Sequence, residues 1–272
     1  MRLQIEHGKV ESLGDTVYWE YTSTGPGDER PAVVLSHGAG GTHAVWFHQV
    51  PALGQDFRIV TWDSRGFGNS TLRGDGPTAD QAAADIGAIL DRLGIDSAHF
   101  VGQSMGGWHN SAFAVAAPER VRSLVYADTV GGLWTDDLRR AMAEFQGRGG
   151  LTPGGATIVG GHLALWPGTD DRDPALAFLY QQLGSFHEPP LDRLGQLITF
   201  EVAHEAITAL DVPVLFVAGE HDDLFPSAAL AGSAAMIEGA GFVEIAASGH
   251  SPYFEQPDAW NEAVGDFLRS VA

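Results

Sequence analysis

The apolar positions of this chain fall into short solid runs separated by stretches with helical spacing. Pro31 to Ser36, Phe57 to Trp62, Ala98 to Val101, Val121 to Ala127, Val212 to Ala218 and Phe242 to Ala246 each read as a buried strand. Gln4 to Glu6 and Thr16 to Tyr21 alternate more loosely and predict two opening antiparallel strands joined near Gly14-Asp15. Helix-like segments separate the runs at Ala44 to Leu53, Trp108 to Ala117, Pro226 to Ile237 and Pro252 to Val271. The clearest helix starts at Thr78-Ala79-Asp80-Gln81, a capping box in which Thr78 covers the helix start and Gln81 reaches back. Ala82, Ile86, Ile89, Leu90 and Leu93 follow on one face, and Gly94 supplies the stop. Repeated strand–helix alternation predicts the α/β class, with a mostly parallel eight-stranded sheet and helices on both faces.

From about Gly131 to Ala209 the strand pattern disappears. Helical pieces remain, broken at Gly149-Gly150, Pro153-Gly154-Gly155, Gly160-Gly161 and Pro189-Pro190. The predicted organisation is a core of residues 1–130 and 210–272 with a helical cap at 131–209.

Composition narrows the classes. A chain of 272 residues that is 44% hydrophobic can bury one large α/β core. It has no apolar run long enough for a membrane helix and no apolar stretch of signal-peptide type near Met1. Cysteine is absent, which removes disulfides and thiol chemistry. The formal net charge of −20 opposes binding to nucleic acid or anionic membranes. The expected partner is a small-molecule substrate, with no nucleic acid and no membrane, in the cytoplasm by default. Oligomeric state is open, a homodimer included.

The candidate chemistry centres on Gly102-Gln103-Ser104-Met105-Gly106. A buried strand precedes it and a helix follows. A strand turning sharply into a helix with Ser at the bend is a nucleophile elbow. Side chains at Gly102 and Gly106 would collide with the neighbouring strand and helix, and the following helix aims its positive end at the reaction centre. No His, Asp or Glu group has convincing metal spacing: His43 and His48 are five apart and do not share a helix face. Gly38-Ala39-Gly40-Gly41 lacks the Gly-Lys-Ser/Thr of a phosphate cradle. No metal and no cofactor are expected.

Taken in order, His37-Gly38, Asp63-x-Arg65-Gly66-x-Gly68-x-Ser70, Gly102-x-Ser104-x-Gly106, Gly219-Glu220-His221-Asp222 and Gly249-His250-Ser251-Pro252 resemble the α/β-hydrolase-fold enzymes over nearly the whole length. The resemblance implies a serine hydrolase of carboxylesterase or lactonase type with a helical cap. It implies the order Ser104, Asp222, His250 for nucleophile, acid and base. Glu220, Asp223 and Asp128 compete for the acid; the bland role for Asp128 is a hydrogen bond at the end of its strand. Met105 and Ala39 are the expected oxyanion donors, with Gly40 as fallback. His37 is expected to shape the oxyanion turn, His99 to lie inside a strand, and His43, His48, His109, His162, His187 and His204 to line a pocket or be solvated. Asp63 to Ser70 is expected to fix a loop beside the oxyanion turn, with Arg65 ion-paired.

Phe47, Trp108, Trp134, Trp166 and Tyr253 are the expected substrate-lining residues, with Phe178, Tyr180 and Phe186 as further cap aromatics. The implied substrate is a small or medium, largely apolar carboxylic ester or lactone, cleaved through an acyl-Ser104 intermediate. Serine at the elbow argues against relatives that use Asp there, the haloalkane dehalogenases and epoxide hydrolases. Cofactor-free perhydrolases or haloperoxidases, carbon–carbon bond hydrolases and non-catalytic ligand receptors of the same fold are the alternatives.

Overall fold

The computed structural model describes residues 2–148, 164–185 and 194–272. Eight strands form one sheet in the order β1-β2-β4-β3-β5-β6-β7-β8. They are β1 (Gln4–Ser12), β2 (Asp15–Ser23), β3 (Ala32–Ser36), β4 (Arg58–Trp62), β5 (Ala98–Gln103), β6 (Val121–Ala127), β7 (Val214–Gly219) and β8 (Gly241–Ile245). The β1–β2 and β2–β4 pairs are antiparallel, and all other pairs are parallel.

Side-chain alternation along the central strands feeds two cores. Val34, Phe100, Leu124, Tyr126 and Phe216 face one side of the sheet. There they meet Ile86, Ile89 and Leu90 of α2 (Ala79–Leu93) and Phe113 of α3 (Met105–Ala116). Val33, Leu35, Val101, Val125, Leu215 and Val217 face the other side, against Trp260, Val264 and Leu268. Strands covered on both faces need continuous apolar sequence, which explains the solid runs at β3, β5 and β7. At the open edge, β1 is largely exposed and carries Glu6, His7, Lys9 and Glu11, a charged edge that resists pairing with another chain.

The capping box at Thr78 and Gln81 forms with both bonds, and Gly94 closes α2 in the left-handed region. Several boundaries differ from those the pattern predicts. Ala44 to Leu53 divides into a short 3-10 turn and α1 (Gln49–Leu53), and α9 (Ser227–Ala234) stops short of Ile237. The closing helix is two helices, α10 (Pro252–Glu255) and α11 (Pro257–Ser270). Pro257 has no N–H to donate and restricts Gln256, which sits at φ −133, ψ 58. Between β6 and β7 the described residues form α4 (Asp136–Gly147), α5 (Thr169–Arg172), α6 (Pro174–Leu183), α7 (Gly195–Ile198) and α8 (His204–Thr208), with no strand among them. The breaks expected at 149–161 and 189–190, and Phe186, His162 and His187, lie outside the described residues. Among the described residues no helix is long and apolar enough to cross a membrane.

Arg65 ties the hairpin to the body of the fold. It is fully buried, forks onto both oxygens of Asp85 at 2.7 and 2.6 Å, and reaches Asp15 at 2.7 Å and the Ser12 carbonyl at 2.7 Å. It is thus ion-paired, as its motif suggests, with partners on β2 and α2. Removing a buried charge leaves its partners uncompensated. Arg65→Ala should lower unfolding free energy in urea by about 3–5 kcal/mol. A loss near zero would contradict this role.

Candidate active site

Parallel strands deliver their carboxyl ends to one edge, so the loops that follow them converge there. His37 follows β3, Asp63 follows β4, Ser104 follows β5, Asp128 follows β6, and Asp222 and His250 lie in the loops after β7 and β8.

Ser104 sits at φ 49, ψ −119, a conformation costly for a residue with a side chain. The surroundings hold it there. The Ser104 N–H donates to Ala127 on β6 at 3.0 Å. A methyl group at Gly106 would overlap the Ser36 carbonyl at the end of β3, and one at Gly102 would lie 2.5 Å from the Gly106 oxygen. Met105 opens α3, so its N–H has no acceptor within the helix.

Asp222 and His250 are both buried, and His250 Nδ1 lies 2.8 Å from Asp222 Oδ2. The other Asp222 oxygen accepts the N–H groups of Leu224 at 2.8 Å and Phe225 at 3.0 Å. A carboxylate holding two N–H donors only accepts, so the imidazole proton is assigned to Nδ1. His250 Nε2 is buried with no hydrogen-bond partner. Gln103, beside Ser104, donates from Nε2 to the His250 carbonyl at 2.9 Å, so the elbow and the histidine loop are joined one residue from Ser104. Backbone bonds from Glu220 N to Ile245 O at 3.0 Å and from His221 N to Ser248 O at 2.9 Å lock the Asp222 loop to the His250 loop.

The competing carboxylates have different partners. Glu220 points to the Ala247 N–H at 2.9 Å and is half-exposed beside His221. Asp223 is exposed. Asp128 is fully buried, and its Oδ1 accepts the Gly219 N–H at 2.7 Å, a hydrogen bond linking the ends of β6 and β7. Asp128, Asp222 and His250 each place a ligand-capable atom within 4.8 Å of the others. Asp222 and His250 Nδ1 are already occupied by one another, so a cation there would have to break that bond.

The turn after β3 is braced by two histidines. His37 Nδ1 lies 2.8 Å from the Gly38 carbonyl, and its Nε2 accepts the Ser64 N–H at 3.0 Å. The Ser64 hydroxyl lies 2.8 Å from His109 Nε2, and His109 Nδ1 lies 3.1 Å from the Met105 carbonyl. This chain connects the turn after β3 to the first residue of α3. His109 is therefore neither pocket-lining nor solvated. Burial, together with the nearby His37, pushes it down to about 3, so it stays neutral. His99 is likewise buried, on Ser123 at 2.8 Å, and burial lowers it to about 4. Gly38 packs directly on Gln103, and a methyl group there would lie 3.0 Å from Ser104 Cβ. The structure thus brings the Gly38-Ala39 turn against the elbow.

Of the expected lining residues, Trp108 and Trp134 come together, with ring centroids 6.3 Å apart. Phe225 completes the cluster at 6.3 Å from Trp108 and 6.4 Å from Trp134, and its ring lies 5.7 Å from His250. Sequence reasoning missed Phe225, although it lies three residues after Asp222. The other rings make separate contacts. Tyr253 packs on Trp46 in the second core at 4.9 Å, and Phe47 on His48 and Phe254 at 4.1 and 5.7 Å. Trp166 stacks on His221 at 5.2 Å and carries the Arg172 guanidinium over its ring at 3.5 Å. Phe178 is largely exposed, and Tyr180 meets Phe254 at 5.0 Å.

Glu255 was also missed. It accepts the Gly249 N–H at 2.7 Å, the Trp166 N–H at 2.7 Å and the Thr169 hydroxyl at 2.9 Å. One carboxylate therefore fastens the residue before His250 to the segment leading into α5. Burial raises its pKa against the pull of these donors. Its position five residues after His250 was the available clue.

A family model described as alpha/beta hydrolase fold matches residues 31–257. The chain is 29% identical over 252 residues to 3-oxoadipate enol-lactonase 1 of Acinetobacter baylyi, covering 90% of this chain and 91% of that one. It is 30% identical over 277 residues to RutD of a Caulobacter strain, named as a proposed carbamate hydrolase, with coverage of 98% and 100%. A thermophilic esterase from Thermogutta terrifontis superposes with a TM-score of 0.80 at 24% identity, over 98% of this chain and 99% of that one.

A second acid–histidine pair supports the same edge. His43 Nδ1 lies 2.8 Å from the buried Asp63, and its Nε2 lies 3.4 Å from Glu20. Burial lowers the His43 pKa, but the bond to Asp63 and the charges of Asp63 and Glu20 outweigh it and leave the net value raised. Burial likewise raises Asp63, and His43, His37 and the Asn69 N–H leave it lowered overall. The His43 contribution is therefore complete below the ordinary histidine value and fades as pH rises through the raised folded value. The Asp63 contribution holds above the ordinary aspartate value and fades as pH falls through the lowered one. The stability difference between wild type and His43→Gln should be largest between the ordinary aspartate and histidine values and shrink as pH rises through the raised His43 value. A difference independent of pH in urea titrations would contradict this clamp.

Proposed function

Because the chain belongs to the α/β-hydrolase family, we propose that it is a serine hydrolase cleaving a small or medium, largely apolar carboxylic ester or lactone through an acyl-Ser104 intermediate. The observation that carries the reading is the Asp222–His250 bond of 2.8 Å, with Nε2 left open one loop from the strained Ser104. A neutral hydroxyl is a weak nucleophile and needs a base. In this reading His250 Nε2 takes the Ser104 proton as Oγ attacks the acyl carbon. Asp222 fixes the tautomer and stabilises the imidazolium. The N–H groups of Met105 and Ala39 hold the developing oxyanion. His250 passes the proton to the leaving alcohol, then activates the water that releases the acid.

The substrate class is supported from two sides. Trp108, Trp134 and Phe225 form an apolar cluster whose Phe225 ring lies 5.7 Å from His250. The relatives named above are an enol-lactonase, a proposed carbamate hydrolase and an esterase. Short and medium p-nitrophenyl esters, aliphatic lactones and a simple aryl carbamate should be compared on the wild-type enzyme. Esters or lactones should turn over fastest, and Ser104→Ala should lower kcat by about 10⁴-fold or more. Unchanged turnover in Ser104→Ala would overturn the mechanism. A carbamate preference with Ser104 dependence intact would replace the substrate class alone.

A further inference from the structure

The loop after β6 holds a carboxyl group that the proposed cycle does not use. Asp128 is fully buried at the same edge, with φ 48, a backbone conformation kept only where its surroundings demand it. Its Oδ1 is occupied by the Gly219 N–H, and its Oδ2 is buried with no hydrogen-bond partner. Asp222 lies beside it, within the cluster whose ligand-capable atoms are all within 4.8 Å.

Two neighbouring buried carboxylates oppose each other's ionisation, so one of them is pushed towards the protonated form. Hydrogen-bond donors decide which one keeps the charge. Asp222 receives three, from His250 Nδ1 and the Leu224 and Phe225 N–H groups. Asp128 receives one, from Gly219, and has a bare oxygen left. A proton on that oxygen removes both problems, since it neutralises the second charge and gives the bare atom something to donate.

We propose that Asp128 is held as a neutral carboxylic acid whose Oδ2–H donates to the Asp222 carboxylate, making it a positioning residue for the acid–histidine pair. This rests on the reading of Asp222 and His250 as the catalytic pair. Burial and the Asp222 charge both favour the protonated form, and Glu255 adds to them. Among the described residues, Tyr180 on α6 and Tyr253 on α10 are further titratable side chains within electrostatic reach of this position. The consequence is a single negative charge on the Asp128–Asp222 pair, facing the positive charge that forms on His250. Asp128 is then a support for the acid rather than a substitute for it.

The test has two arms on the full-length enzyme. Carbon-13 NMR with carboxyl-labelled aspartate, assigned by comparison with Asp128→Asn, reads the protonation state without reference to activity. The Asp128 carboxyl carbon should resonate as a protonated acid at neutral pH and should not titrate through the ordinary carboxylate range. A carboxylate resonance there would overturn the proposal, whatever substrate the enzyme takes. In ester kinetics, Asp128→Asn keeps neutrality and an N–H donor, so kcat/KM should stay within about threefold of wild type. Asp128→Ala removes the donor and should lower kcat by about tenfold or more, with the acid limb of the pH profile displaced. Equal losses in Asn and Ala variants would overturn the donor role. Ester turnover that persists in Ser104→Ala would instead fault the hydrolase mechanism, and the NMR result would still decide the state of Asp128.

Discussion

A buried carboxylate can orient an imidazole only while it stays ionised, and ionisation in an apolar edge has to be held up by donors. Asp222 meets that constraint with the Leu224 and Phe225 N–H groups on one oxygen and His250 on the other. Much of the surrounding structure keeps those donors in register. The loops after β7 and β8 are bonded backbone to backbone, Gln103 grips the His250 carbonyl, and Glu255 grips the Gly249 N–H. A shift of any one loop would move the imidazole relative to the Ser104 turn.

The same edge is assembled from two polar layers. The upper one contains Ser104, Asp222 and His250. The lower one contains His37, Ser64 and His109, tied by hydrogen bonds to the turn after β3 and the start of α3, together with the His43–Asp63 pair. Burial keeps His109 neutral, so its ring nitrogens serve one as donor and one as acceptor. Histidines in this layer act as spacers between loops, which accounts for their number near the site without giving each a part in the chemistry.

The sheet was readable because its central strands are buried on both faces and so must be solid apolar runs, as at Val33 to Leu35 and Leu215 to Val217. The capping box at Thr78 was readable because its bonds are local. The elbow was readable for the same reason, since Gly102 and Gly106 clear space within a few residues of Ser104. Contacts across the chain were not. Glu255 reaches Trp166 and Thr169 across more than eighty residues, and nothing in the local pattern marks that bond. Tyr253 and Phe47 follow site motifs, yet their rings turn to Trp46 and Phe254, because being near in sequence does not fix side-chain direction. The break at Pro257 was visible in the sequence, and an apolar helical face running through it obscured it.

The most direct test of the central claim is the rate at which a fluorophosphonate labels the enzyme, with the modified residue located by mass spectrometry. A single adduct on Ser104 is expected in wild type, and labelling slowed by orders of magnitude in His250→Ala while the variant remains folded. An adduct at another residue, or labelling of Ser104 at the wild-type rate without His250, would contradict it.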